Sequence, residues 1–314
     1  MALFNTIGMK KLVYILLLFP MLVLSQQESY YSLYRFNMQV INPAYAGAEA
    51  QSMLSVLNRN QWATVENAPK TTAFAFSSAR ENNVGLGISV VSDKVFVEQQ
   101  TFAYIDFSYK LQLDDATNLF LGLKGGGNFY NADGTGLNSY GLGIDPAQKI
   151  LSQFNPNVGA GAYLQNENYW LSFSIPRLFN ANRDNELAVT AKDRVHSYLG
   201  AGAKLSLNEN FSIKPSVMLR KVQGLPISMD LTGFVSIQDR VDFGASYRTN
   251  ASFSLMAFLN AFDGFDIGYA YETPSEQLLS GISLKTHEIV LRIRLGEGTQ
   301  TVEQNESTGG PMNQ

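Results

Sequence analysis

The sequence predicts an all-β protein: a transmembrane antiparallel β-barrel of about 14 strands, with short periplasmic turns and long extracellular loops. Three observations carry this. Apolar and polar residues alternate with period two over most of residues 51–295. Short polar turns and longer loops alternate between those stretches. Beyond the N-terminus, no apolar run approaches the roughly 20 residues of a membrane helix.

The chain opens on an export leader. Lys10 and Lys11 give a positive start, residues 12–24 are almost wholly apolar, and Val23 and Ser25 are small enough to flank a cleavage site. Residues 1–25 read as a signal peptide cut after Ser25. No Cys follows, so a lipid anchor is not expected. An exported chain without helical spans is either soluble or a barrel.

Alternation is clearest in residues 102–111, where Ala103, Ile105, Phe107, Tyr109 and Leu111 oppose Tyr104, Asp106, Ser108 and Lys110. Near the end, Ile289, Leu291, Ile293 and Leu295 oppose Glu288, Val290, Arg292 and Arg294. A soluble sandwich would alternate too, so the loops decide. Strands are expected at 51–59, 70–79, 83–91, 98–113, 117–130, 157–165, 169–176, 196–207, 211–220, 227–237, 241–248, 251–259, 265–272 and 287–295. Every second connection is a short polar turn, at 80–82, 114–116, 166–168, 208–210, 238–240 and 260–264. Most others are longer, especially 131–156, 177–195 and 273–286. That asymmetry is the mark of an outer-membrane barrel, and a Greek-key sandwich would not keep it. Residues 26–50 form a periplasmic or lumenal segment, 51–295 the barrel, and 296–314 a polar, disordered tail.

Composition narrows the function. Charged residues are only 16%, against the usual quarter. A net charge of −4 without a basic block argues against nucleic acid. The absence of Cys excludes disulfides, Fe–S clusters, Cys-bound zinc and thiol catalysis. His196 and His287 each open an expected strand as rim residues, and Asp114–Asp115 is a turn pair. No enzyme activity, cofactor or metal site is expected.

A barrel of about 14 strands lies between one packed by side chains and one with an open channel. Gly85, Gly87, Gly159, Gly161, Gly200, Gly202, Gly244 and Gly268 fall on the inward face. The favoured reading is relief of crowding where strands bend, as at 125–127; the sharper one is room for something inside, with residues 26–50 the nearest candidate. Lys110, Lys124, Lys204, Lys214, Asp106, Asp230, Arg248, Arg292 and Arg294 also point inward.

The segment Asn42-Pro43-Ala44-Tyr45-Ala46-Gly47, with Arg59, Gln61, Trp62, Pro69 and Thr71, resembles the opening of the PorP/SprF family of Bacteroidetes outer-membrane proteins. Residues 157–176, 211–230, 267–271 and 287–289 resemble its later strands, with Phe243 a departure where many members carry Trp. The resemblance implies a component of type IX secretion and gliding motility that helps export or anchor a secreted surface adhesin by binding its C-terminal signal domain. It implies contact with the translocon or periplasmic components, and with membrane lipids. Candidate partner-binding residues are Asn42, Pro43, Tyr45, Gly47, Arg59, Gln61 and Trp62. Each also has a purely structural reading, which is preferred: Asn42, Pro43 and Gly47 as turn formers, Tyr45 and Trp62 as interface aromatics, and Arg59 as a lumen charge paired with Asp106 or Asp230. The alternative function is a transporter or channel like the fatty-acid transport barrels. That needs an apolar path, which the mixed inward charges do not suit.

Overall fold

The computed structural model describes residues 30–49, 51–63, 65–80, 82–135, 150–182, 192–249, 251–275 and 285–296. The expected leader and nearly all of the polar tail lie outside them.

Fourteen strands form one closed antiparallel sheet: β1 Ser52–Asn60, β2 Lys70–Ala79, β3 Val84–Val95, β4 Glu98–Gln112, β5 Asn118–Asp133, β6 Ile150–Gln165, β7 Tyr169–Arg177, β8 His196–Ala203, β9 Phe211–Val222, β10 Ser228–Ile237, β11 Val241–Arg248, β12 Ser252–Phe262, β13 Phe265–Pro274 and β14 Thr286–Leu295. After a break at Lys204, β8 continues as Leu205–Ser206, still paired with β9. Each strand pairs with its neighbour in sequence. The barrel closes where β14 pairs with β1, from Ser52↔Leu295 to Asn60↔His287. A two-stranded ribbon, Ala181–Asn182 with Lys192–Asp193, decorates the loop between β7 and β8.

The largest difference from the expected strands is at β6, which starts at Ile150 instead of residue 157. Asn155-Pro156 reads as a turn signal, because proline cannot donate to a sheet ladder. Here Pro156 lies opposite Gly127 within a continuous pairing with β5.

Burial settles which side of the wall is which. Ile105 is 67% exposed and Leu123 61%, whereas Asp106 and Glu288 are fully buried. A soluble barrel hides its aliphatics and shows its charges. This wall does the reverse, as a strand must when lipid lies outside and a polar lumen inside. The chain is therefore a transmembrane β-barrel of the outer membrane. Its short turns are periplasmic and most of its longer loops are extracellular.

Candidate functional site in the occupied lumen

The lumen is filled by the chain's own N-terminal segment. Two short 3-10 turns, Tyr34–Val40 and Pro43–Tyr45, run through it. Ser32, Leu33, Phe36, Met38, Ile41, Asn42 and Ala44 are buried. The segment touches opposite walls. Its start meets β12, β13 and β14; Phe36 stacks on Phe258 of β12 at 3.8 Å and meets Phe234 of β10 edge-on. Its end meets β3 to β7. Leu33, Phe36 and Met38 each contribute roughly 1.5–3 kcal/mol of apolar burial.

Three polar anchors add specificity. In the outer half, Glu288 accepts backbone N–H groups of Ser32 and Leu33 at 2.9 and 2.7 Å. The Ser32 hydroxyl donates to Glu272 at 2.8 Å. Arg59 bridges those two carboxylates, at 2.7 Å to Glu272 and 2.9 Å to Glu288. At mid-lumen, Gln39 donates to Asp106 at 2.9 Å, while Lys124 pairs with Asp106 at 3.3 Å and donates to the Val40 carbonyl at 3.1 Å. Nearer the periplasm, the Asn42 amide donates to the Ala162 carbonyl at 3.0 Å and to the Ser172 hydroxyl at 2.8 Å. Its Oδ1 accepts from the Ala44 N–H at 2.9 Å, capping the second turn.

The inward glycines now separate. A Cβ on Gly85 would strike the Ala46 carbonyl, on Gly87 the Gln39 amide, on Gly122 the Ala44 backbone, and on Gly161 the Asn42 side chain. These four make room for the segment. Gly202 instead clears the Trp170 ring, and Gly126 and Gly127 clear the Ala103 and Asn155 carbonyls, which fits relief of crowding; Gly125 meets nothing within 4 Å and relieves none.

Several sequence readings are corrected. Arg59 is a lumen charge, but its partners are Glu272 and Glu288; Asp106 belongs to Lys124 and Asp230 to Arg248. Three of these pairs are register partners on neighbouring strands, Asp106 with Lys124, Asp230 with Arg248 and Arg59 with Glu288; strand alternation shows which side chains point inward but not the register that pairs them. Tyr45 is not an interface aromatic: its hydroxyl donates to Glu49 at 2.6 Å and its ring packs edge-on against Tyr163 inside the barrel. His196 is buried at 2% exposure rather than exposed at the rim. The structure thus gathers Asn42, Pro43, Tyr45, Gly47 and Arg59 around the seated segment and leaves Gln61 and Trp62 on the first outer loop. Glu272, Glu288, Lys124 and Gln39 are contributors that the sequence reading did not single out as a site.

Below the segment a vestibule of about 340 Å³ remains at the periplasmic end. Aromatics Tyr45, Tyr163 and Trp170 line one side, with the Arg35 guanidinium 5.8 Å over the Trp170 ring. Charges line the other. Arg292 meets Glu49 at 2.7 Å, Arg294 meets Asp266 at 2.8 Å, and Lys214 meets Asp242 at 3.1 Å. In the turn after β10, the hydrogen bond from Lys204 and the nearby Lys214 hold the Asp239 carboxyl below the usual carboxylate range. Among the described residues no cluster of acids and histidines is suited to a metal ion.

A closed 14-strand barrel with polar lumen walls and an internal plug defines an outer-membrane barrel specialised by what it holds inside. The model for the type IX secretion system membrane protein PorP/SprF family matches residues 23–293, and the chain belongs to that family. No curated protein matches it. Among solved structures it is similar to the Acinetobacter baumannii outer membrane protein Omp33, at 9% identity and a TM-score of 0.45, covering 79% of this chain and 100% of that one. A Pseudomonas aeruginosa FadL homologue matches at 10% identity and a TM-score of 0.46, covering 81% and 93%. The CymD monoaromatic hydrocarbon channel matches at 12% and 0.44, covering 82% and 92%.

Proposed function

We propose that this barrel is a dedicated binding partner in type IX secretion, helping to export or anchor a secreted surface adhesin by engaging its C-terminal signal domain. Family membership supports the secretion role. The observation that carries the finer reading is the occupied lumen. A segment hydrogen-bonded to buried ion pairs of the wall at both mid-lumen and outer half suits a protein that holds a partner better than one that conducts solutes. The vestibule adds to this. Its mixed charges and aromatic wall match the chemistry of a polypeptide, and they do not match an apolar solute. In this reading Asn42, Pro43, Tyr45, Gly47 and Arg59 serve by keeping the segment seated. Gln61 and Trp62 offer the outer loop as a contact.

The test places a photo-crosslinking residue at Arg240 on the vestibule rim, and separately at Trp62. Captured proteins are identified by mass spectrometry in cells exporting their natural cargo. The expected product is a secreted protein cut within its C-terminal signal domain. If neither position captures an exported protein, and the purified barrel conducts ions steadily in planar bilayers, the channel reading replaces this one.

A further inference from the structure

The outer wall carries a charged feature that neither the lumen nor the partner reading uses. Lys70 of β2 and Lys94 of β3 lie directly opposite each other in register. Both side chains are exposed, and strand alternation turns them outward, since Thr71, the next residue along β2, is buried on the lumen side. Like charges directly opposite in a sheet destabilise it. Neither lysine has a carboxylate partner among the described residues.

Their depth is informative. Beneath this pair on the same outward face come Thr72↔Ser92, then Phe74↔Val90, then Phe76↔Ile88. Each step of two residues climbs about 6.6 Å along a strand, or roughly 5 Å of depth at a tilt near 40°. The apolar band ends at Phe74 and Val90. The lysine backbones therefore stand roughly 10 Å above the hydrocarbon edge, just outside a headgroup layer that adds about 5–7 Å on each side of the core, and their flexible stems bring the ammonium groups down into that layer.

The lysines also border a hollow of about 510 Å³ between the first outer loop and the β3–β4 turn, and Asn60, Gln61, Asn67, Glu66 and Phe96 line it with them. The two walls are tied by the Phe96 N–H, which donates to the Asn67 carbonyl at 3.3 Å. Phe96 is 53% exposed and held at φ 54°, a left-handed conformation that a bulky residue rarely adopts. Glu66 is the one acid on the lining and is bonded to neither lysine.

We propose that the Lys70–Lys94 pair is a binding site for the phosphate monoester of an outer-leaflet lipid, whose acyl chains lie against Phe74, Val90, Phe76 and Ile88 below. A dianionic phosphate turns the like-charge cost into attraction, and the amides of Asn60, Gln61 and Asn67 supply further donors. A lipid is favoured over an acidic protein because the site is on the bilayer-facing side of the wall and only one polar step, Thr72 and Ser92, separates it from the apolar band.

The experiment uses the full chain in nanodiscs with bisphosphorylated lipid A or its dephosphorylated form, and reads retained lipid by native mass spectrometry. The phosphorylated lipid is expected to be retained about tenfold better. The K70Q/K94Q variant should lower its retention to the dephosphorylated level, with barrel folding checked by heat-modifiable migration. K221Q is the control: Lys221 is also exposed near the outer end, but its ammonium already donates to the Leu225 carbonyl at 2.6 Å. Loss of retention in K221Q equal to that in K70Q/K94Q would reduce the effect to general surface charge and overturn the proposal. So would full displacement by inorganic phosphate, which would mark a free-anion site. Unchanged lipid retention with loss of a secreted protein from pull-downs would assign the pair to a protein partner and overturn it too.

Discussion

Arg59→Ala should unseat the lumenal segment while leaving the barrel assembled. Arg59 is 2% exposed and is the cation that Glu272 and Glu288 share. Its removal leaves two buried carboxylates, with Arg248 offering Glu272 only a 3.5 Å contact. Breaking a buried pair by removing one partner costs about 3–5 kcal/mol while the carboxylates stay covered, and release of the segment relieves that cost by letting water reach Glu272 and Glu288. At 1.4 kcal/mol per factor of ten, that is roughly two to three and a half powers of ten in the seated-to-released ratio. Water entering the lumen places the outcome toward the lower end, about a hundredfold. The chain has no Cys, so single cysteines report cleanly. Ser55 donates to Asn37 at 2.9 Å, and Ser174 to the Ile41 carbonyl at 2.8 Å; both are covered by the segment. Ser55→Cys and Ser174→Cys therefore read its two halves through maleimide labelling rates in the folded barrel. In the Arg59→Ala background, Ser55→Cys should label about a hundredfold faster. Arg59→Lys should rescue part of this, because an ammonium keeps the charge but cannot fork between two carboxylates. A barrel that still runs as folded, with both cysteines labelling within about twofold of the parent, would refute the anchoring role.

Two other perturbations bear on the same architecture. Gly122→Val places a side chain where the Ala44 backbone passes, so labelling at Ser174→Cys should rise while heat-modifiable migration is retained; unchanged labelling would show that the segment does not need that gap. The Asp239 carboxyl is held below its ordinary value by Lys204. Its stabilising contribution is present above the unfolded carboxylate range near 3.9 and is lost as pH falls through the lower folded value. Asp239 is 57% exposed, so the effect is small and screened by salt. Asp239→Asn should flatten the acid limb of a urea-midpoint profile below about pH 4, and an unaltered limb would remove the pair from the account.

The wall was readable because lipid enforces a strict rule on every second residue. Ile105, Phe107 and Tyr109 point out, and Tyr104, Asp106 and Ser108 point in, as the alternation required. The plug was less readable. The sequence of residues 31–49 has neither the period of a strand nor that of a long helix, and its 3-10 turns take their stability from the walls. A trace was present in the inward glycines Gly85, Gly87 and Gly161, but crowding relief explained them equally well until the Ala46, Gln39 and Asn42 contacts were seen. The anchoring pairs were out of reach for a simpler reason. Arg59 and Glu288 are separated by 229 residues, and nothing local distinguishes Glu288 from Asp106 as a partner.

That separation has a mechanical consequence. Arg59 and Glu288 are register partners across the β1–β14 seam, the contact that closes the barrel. Glu288 has oxygens enough for Arg59, Ser32 and Leu33 together, and each of those bonds is made. Without the segment, Glu288 loses the Ser32 and Leu33 N–H donors, keeps the Arg59 guanidinium and sits under-satisfied, at the usual desolvation cost. Closing the seam and seating the segment are therefore linked equilibria, and each raises the affinity of the other by the same factor. The first outer loop joins the same seam, where the Ala63 N–H donates to the Lys285 carbonyl at 3.2 Å. Gln61 and Trp62, which stood apart from the lumenal residues, thus lie a few residues from Arg59 on a loop bonded across the strands it helps to close. A partner gripping that loop would act on the seam directly, and through Glu288 on the segment inside.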